Sequence, residues 1–401
     1  MPHTVSSAPG FGVYVHFPFC RQRCSYCDFA VSIRPHIPQT EYLSAILYEL
    51  SAKAPLFAGR TLRSVYFGGG TPSLWQPECL SSALQTICSV FARQELLEVT
   101  LECDPGDVSC AQLAYWHQAG VNRLSIGAQS FSAPRLQELK RQHTPQQIHD
   151  LVYAARRVGF QNLSLDLLFG MNEAQTELEQ NLTELLSLSP EHVSLYQLTV
   201  EPHTFVDWQI RKGQRAALCP EWQTDAYLLV RKTLSKNGFQ HYEISNFARK
   251  YHEEDDFRSI HNRLYWTGGE YLGLGASAHS FRYLVDGAGE RFANLKRASS
   301  YLQAWQNRWP TEFVPSEQNP SLKLYEHRTK EALFRESLWL GLRELQGIDL
   351  AVCRHGANPL VECQETIDQL VSRGLLFEAD GFLRLTERGV LFADEVGAAF
   401  L

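Results

Sequence analysis

The chain has 401 residues, 44% of them hydrophobic and 20% charged, which excludes a disordered tract and calls for one large domain plus a smaller one. Its net charge of −7 comes without a basic stripe, so nucleic acid is not an expected partner. No apolar run reaches the roughly 20 residues that a transmembrane helix needs, and Met1–Gly10 carries no secretion signal, so a cytoplasmic location with free cysteines is expected.

The first two thirds alternate strand and helix signals. Gly12–Phe17 reads as a strand. Glu41–Lys53 reads as a helix capped by Thr40. Arg63–Phe67 is a strand that stops at Gly68-Gly69-Gly70, and Cys79–Arg93 has helical periodicity. Leu97–Cys103, Asn122–Ile126, Asn162–Phe169 and His192–Leu198 follow as strands. Helices over Val108–Ala119, Thr144–Val158, Glu173–Ser187 and Glu221–Lys236 separate or follow them. Six such units imply parallel strands with right-handed crossovers, in an α/β fold of the partial-barrel type. Chemistry in such folds sits on loops after the strands' C-terminal ends.

From about residue 246 the pattern changes. Asn246–Phe292 reads as loop-rich, with many aromatics and glycines. Lys330–Leu345 and Gln364–Arg373 read as helices. Leu375–Phe377 and Phe382–Leu385 flank Asp380-Gly381, a hairpin turn signal, and a last helix covers Glu387–Ala398. The expected organisation is a barrel core over 1–245, an extension over 246–321 and a small winged-helix-like α+β domain over 322–401. That last unit has no basic recognition helix and reads as a structural cover.

Three of the ten cysteines stand together, Cys20, Cys24 and Cys27, spaced CxxxCxxC directly after the first strand. Soft thiolates suit zinc or iron–sulfur clusters. A structural zinc site takes four protein ligands, commonly from two separated pairs, and this chain has no second CxxC. Three thiols in one loop therefore fit a [4Fe-4S] cluster with one iron left open. The scattered cysteines, Cys353 among them, read as small core residues.

On that strand and loop, the motif resembles the signature of the radical-SAM superfamily. Further runs resemble the oxygen-independent coproporphyrinogen III oxidase family within it: Tyr14-Val-His16-Phe-Pro-Phe-Cys20, Phe67-Gly-Gly-Gly-Thr-Pro-Ser73, Glu102-Cys-Asp-Pro105, Ile126-Gly-Ala-Gln-Ser-Phe131 and Leu165-Asp-Leu-Leu-Phe-Gly170. The resemblance implies a (β/α)6 partial TIM barrel and S-adenosylmethionine bound at the open iron. It implies cofactor contacts from Tyr14, Tyr26, Gly69, Gly70, Thr71, Glu102, Gln129, Arg141 and Asp166.

Two departures point to a sister group of the oxidases, the HemW-type heme chaperones. The oxidase pattern CxxxCxxCxC ends here in Phe29, and only thirteen residues precede Tyr14. A third feature, His261-Asn262-Arg-Leu-Tyr265-Trp266, is similar to the HNxxYW motif of that group and implies a heme site on those residues. His279, His241 and Tyr242 are secondary candidates. The implied function is to bind heme and hand it to an acceptor protein. The alternative is oxidative decarboxylation of coproporphyrinogen III. The acceptor, the manner of heme attachment, the fate of S-adenosylmethionine and the oligomeric state, homodimer included, stay open.

Overall fold

The structure is a computed structural model that describes residues 10–91, 96–250, 252, 255–306, 313–350 and 359–401, with side chains from 363 onward in the last stretch. The residues before Gly10, the expected helix end at Arg93, and Cys353 lie outside the described residues.

One twelve-stranded sheet forms the body of the protein. Its centre holds β1 (Gly10–Phe17), β2 (Thr61–Gly69), β3 (Glu98–Cys103), β4 (Arg123–Gln129), β5 (Asn162–Phe169) and β6 (His192–Gln197). These six are parallel neighbours in chain order. The intervening helices are α1 (Gln39–Lys53), α2 (Pro77–Val90), α3 (Cys110–Ala119), α4 (Ala133–Glu138), α5 (Pro145–Val158) and α6 (Gln175–Ser187). After β6 come α7 (Phe205–Arg211) and α8 (Pro220–Lys236). Ser109 and Thr144 cap α3 and α5 through complete capping boxes. Thr40 does not cap α1; the helix begins at Gln39 behind Pro38, and Thr40 lies in its first turn.

Period-two alternation sorts each strand's side chains onto two faces. In β1, Phe11, Val13, Val15 and Phe17 pack outward into the helix layer, where Phe17 stacks on Trp75 and Phe11 on Phe57. The inward face is polar. It carries Tyr14, Tyr66, Glu102, Arg123, Ser125, Asp166 and His192; Tyr66 bonds Glu102, Ser125 bonds Asp166 and Arg123 meets His192. The near-continuous apolar strands read from the sequence are therefore apolar on the helix side, while the inside can hold a polar ligand.

The stretch expected to be loop-rich is largely ordered sheet. β7 (Phe239–Glu243) and β8 (Asn246–Arg249) add antiparallel to β6, with β8 against it. α9 (Ile260–Trp266) follows. β9 (Glu270–Leu274) then joins the other edge of β1 as a seventh parallel strand. β10 (His279–Tyr283), β11 (Gly289–Asn294) and β12 (Leu322–Arg328) continue that edge antiparallel. β9 to β11 have only five or six residues each, too few to show a clear period, and β9 and β11 also contain a glycine. Gly273 in β9 is required, since a side chain there would collide with the His279 carbonyl. β12, which opens the expected third unit, pairs within the main sheet.

α10 (Ala298–Trp305) packs on α1. The C-terminal unit holds α11 (Lys330–Gly341), α12 (Pro359–Ser372) and a sheet of β13 (Ile348–Asp349), β14 (Leu376–Ala379) and β15 (Phe382–Leu385). The Asp380-Gly381 turn has φ of 54° and 78°, the twist a two-residue hairpin needs. The expected last helix breaks at Phe392 into α13 (Glu387–Leu391) and α14 (Ala393–Ala398).

Glu49 and Lys53 on α1 form an ion pair at 2.5 Å, both fully buried. Lys53 also donates to Asn294 at 2.8 Å, and Glu49 accepts from Tyr301 at 2.6 Å and the Gly275 amide at 2.7 Å. Removing one partner leaves an uncompensated buried charge. Lys53→Met should cost about 3–5 kcal/mol, read as a fall in the urea midpoint; an unchanged midpoint would show that the pair does not anchor the added strands.

Candidate functional site

The cluster loop leaves β1 at its C-terminal end, where the strand-end loops gather. Gly69 and Gly70 close one side of it. Gly69 has φ of 115°, and a Cβ there would meet the His16 ring at 2.7 Å. At Gly70 a Cβ would fall 2.9 Å from Cys20 Sγ and 2.8 Å from the Phe19 carbonyl. The glycines thus let backbone lie against the thiol loop.

Cys20, Cys24 and Cys27 line the mouth of one cavity of about 490 Å³. Each sulfur faces a donor: Thr71 Oγ1 at 3.4 Å for Cys20, Arg141 Nη1 at 3.5 Å for Cys24, and the Phe29 amide for Cys27. Burial pushes the Cys20 thiol up to about 11 and raises Cys27 as well. Such thiols ionise when a metal displaces the proton, and the three donors then stabilise the thiolates. Among the described residues no three His, Cys, Asp or Glu side chains group as around a single metal ion. The donor chemistry and the room in front of it fit an iron–sulfur cluster. Phe29, which stands where the oxidase pattern has a fourth cysteine, offers its backbone amide to Cys27 and leaves its ring 59% exposed.

Behind the thiols the same cavity is lined by Tyr26, Gly69, Gly70, Thr71, Glu102, Gln129, Arg141 and Asp166. The structure thus gathers every residue expected to contact S-adenosylmethionine except Tyr14, whose hydroxyl lies 2.9 Å from His16 Nδ1. Glu102 accepts from Tyr66 at 2.9 Å and from the Gly69 amide at 3.1 Å. Burial pushes its carboxyl up to about 7, against the bond from Tyr66. Asp104 bridges Arg141 at 2.7 Å. Burial raises Asp104, but the His143 bond and Arg141 outweigh it and hold the carboxylate down at about 2. Arg141 is thereby fixed between a carboxylate and Cys24. Gln129 sits at φ 62°, a left-handed conformation costing about 1–3 kcal/mol for a non-glycine residue, at the bulged end of β4. Tyr66, Ser125, Asp104 and Tyr196 also line this space. Asp104 stands in the Glu102-Cys-Asp-Pro105 motif without a role of its own, while Tyr66, Ser125 and Tyr196 are single inward-facing residues on other strands that only cross-strand register against the strands of Glu102 and Asp166 brings in.

The HNxxYW segment lies elsewhere, across the N-terminal end of the barrel. Ser259 caps α9, and Glu98, at the start of β3, accepts from the Ile260 and His261 amides at 2.9 and 3.1 Å. His261 is 2% exposed. Its Nδ1 meets Ser64 Oγ and its Nε2 the Tyr265 hydroxyl, each at 2.9 Å. Burial, then Arg123, lowers the ring to about 3, so it is neutral. Asn262 gives its amide to the Ser259 cap. Tyr265 and Trp266 line a second cavity of about 300 Å³, floored by β9 to β11 and faced by α11.

Residues 14–184 match the radical SAM superfamily model, and residues 329–392 match the HemN C-terminal domain model. The fold superposes on Escherichia coli coproporphyrinogen III oxidase (HemN) with a TM-score of 0.80, covering 98% of this chain and 90% of that one at 23% identity. The heme chaperone HemW of Bacillus subtilis is 31% identical over 97% of this chain and 98% of its own length. The chain belongs to the HemW heme-chaperone family. The HemW of Escherichia coli is 28% identical over 98% of both chains. A bovine relative, radical S-adenosyl methionine domain-containing protein 1, mitochondrial, is 34% identical over 86% of this chain. Membership in the superfamily implies a [4Fe-4S] cluster and S-adenosylmethionine. No described helix is long and apolar enough to cross a membrane.

Two outcomes test the cavity. Gly70→Ala should lower iron retention after anaerobic reconstitution roughly 10-fold or more, measured as iron per folded chain; full retention would remove the close-approach argument. A ribose diol donates two protons, which the Glu102 carboxylate can accept on both oxygens and its protonated form on the carbonyl oxygen alone. Affinity for S-adenosylmethionine should then fall, by up to about tenfold per pH unit, below about 7, and Glu102→Gln should flatten that dependence. Calorimetry at pH 6 and 8 reads both, and a pH-independent affinity in the parent chain would count against the contact.

Proposed function

We propose that this chain holds heme and passes it to an acceptor protein, with a [4Fe-4S] cluster on Cys20, Cys24 and Cys27 and S-adenosylmethionine in the adjoining cavity. The observation that carries the reading is the presence of two separate cavities in a HemW-family chain. One is polar, at the barrel mouth behind the thiols. The other is aromatic and contains Tyr265 and Trp266 of the HNxxYW segment. A cofactor and a flat apolar cargo therefore have different places to go.

Cys20, Cys24 and Cys27 would hold the cluster, which would supply one iron with an open coordination position for S-adenosylmethionine. The chain's own contribution is to hold and orient. Glu102 and Asp166 face the polar cavity as acceptors, Arg141 offsets thiolate charge, and Gly69 and Gly70 allow close backbone approach. Tyr265 and Trp266 offer flat apolar surface to a porphyrin. The likeness to the solved oxidase is one of fold, and one fold hosts many functions.

Ferric heme titrated into anaerobically reconstituted chain should bind saturably near one equivalent, read at the Soret band. It should then move to an apo-hemoprotein without free heme appearing in a scavenger. A titration that never saturates would remove the chaperone reading. Release of CO2 from coproporphyrinogen III under reducing conditions would put the decarboxylase in its place.

A further inference from the structure

One buried histidine beside the thiol cavity has no role in what has been described. His143 is 3% exposed and does not line the cavity, so it touches neither the thiols nor the cofactor space. Burying an imidazole costs more than burying an apolar ring unless its nitrogens are used. Both are used here, each on an acceptor. Nε2 lies 3.1 Å from the Ala128 carbonyl, and Nδ1 faces the Asp104 carboxylate at 3.4 Å. A doubly protonated ring satisfies both neighbours.

The local chain is shaped to bring this ring to Asp104. Lys140, just past α4, takes a left-handed φ of 56°. Its amide bonds the Gln137 carbonyl and the Arg141 amide bonds the Leu136 carbonyl, which makes the helix end a Schellman turn. Arg141 and His143, two residues apart, then reach the two oxygens of one carboxylate. Arg141 Nη2 takes Asp104 Oδ2 at 2.7 Å, and His143 stands at Oδ1. The Gly106 amide also donates to Oδ1, at 3.0 Å, and Ser73 Oγ accepts from the Asp104 amide at 3.2 Å. At Gly106 a Cβ would fall 3.3 Å from His143 Cβ, so the glycine gives the ring room to close in.

Arg141 is the side chain that this arrangement holds. Its Nη1 meets Cys24 Sγ at 3.5 Å, and its Nη2 is shared between Asp104 and the Gly127 carbonyl. Its Nε is buried without a hydrogen-bond partner among the described residues. The orientation of the guanidinium therefore rests on its two terminal nitrogens, and Asp104 is the charged group among their partners. A cation and a hydrogen bond at a ligating sulfur favour the reduced form of a cluster, which carries one more negative charge.

We propose that His143 is a positioning residue for the cluster: by holding Asp104 it keeps Arg141 against Cys24 Sγ, and so makes one-electron reduction of a bound [4Fe-4S] cluster easier. This rests on the reading that Cys20, Cys24 and Cys27 hold that cluster. The reduction adds one electron and no proton, and the electron comes from an external one-electron donor, dithionite in the test.

The test is a redox titration of the full chain, reconstituted anaerobically and kept free of S-adenosylmethionine, read by the electron paramagnetic resonance of the reduced cluster. If the parent chain takes up no four-iron cluster, the cluster reading fails and this inference with it. In His143→Phe, at parent-like iron per chain and circular dichroism, the ratio of reduced to oxidised cluster at a fixed potential should fall about tenfold, a midpoint lower by about 59 mV for one electron. His143→Leu gives the same reading should the phenylalanine not fit. His143→Gln keeps an amide donor for Asp104, and its midpoint should lie nearer the parent's than that of His143→Phe. Arg141→Met should lower the midpoint at least as far. Adding His143→Phe to it should change the ratio by less than about twofold, because the histidine acts through the arginine. A parent-like midpoint in His143→Phe would overturn the inference and leave the cluster assignment standing. A full second drop in the double variant would overturn the route through Arg141, and a glutamine variant no better than phenylalanine would overturn the bond to Asp104.

Discussion

The buried pair of Glu49 and Lys53 holds together the two halves of the sheet. A six-strand parallel sheet exposes the free edge of β1, and β9 satisfies it. β9 is short and interrupted by glycine, so Leu272 and Leu274 are its apolar side chains in the core. Glu49 reaches across from α1 to the Gly275 amide just past β9, while Lys53 and Glu49 together grip Asn294 at the end of β11. Two charges are costly to bury unless every lone pair and proton is used. Here Tyr301, Asn294 and the Gly275 amide use them. The platform of β9 to β11, and with it the aromatic cavity, depends on that join.

The polar inside of the barrel ties its two ends. At the mouth, Asp166 accepts from Ser125 and Ser164. Ser164 meets His192 Nδ1 at 2.8 Å, and His192 Nε2 meets the Tyr242 hydroxyl at 2.8 Å. Tyr242 accepts from the Ser259 amide at the cap of α9. A continuous hydrogen-bonded line thus runs from the cofactor cavity to the helix that closes the base. His261 belongs to this closure. Its imidazole fills a polar socket beneath Tyr14 and Tyr66 and holds Tyr265 at the edge of the aromatic cavity.

Charge around the thiols follows the same economy. The cluster loop contains Arg21 and Arg23, but among the described residues neither donates a hydrogen bond to a sulfur. Arg21 pairs with Asp107 at 2.8 Å, and Arg23, within electrostatic reach of Cys27, bonds the Phe29 carbonyl. Arg141, more than a hundred residues later, meets Cys24 and is clamped by Asp104 and the Gly127 carbonyl. Its planar fork serves sulfur through one nitrogen and carboxylate and carbonyl through the other.

The sequence by itself determined what is local and periodic. The six barrel strands follow from apolar runs bounded by glycine and proline, the capping boxes from Ser109 and Thr144, the hairpin from Asp380-Gly381, and the thiol set from its spacing. The cavity residues came from motifs that sit at strand ends, so their convergence followed once the strands were parallel. What lay outside reach was long-range. β9 to β11, five or six residues each, are too short to show a clear period, and β9 forms because β1 has an edge to fill. The buried state of His261 depends on Ser64 and Tyr265 meeting it from two directions, and a motif cannot show that both nitrogens are taken. The row of Tyr271, Phe281, Arg291 and Glu326 spans four strands and is set by register alone. Only the tertiary structure brings it beside Trp339.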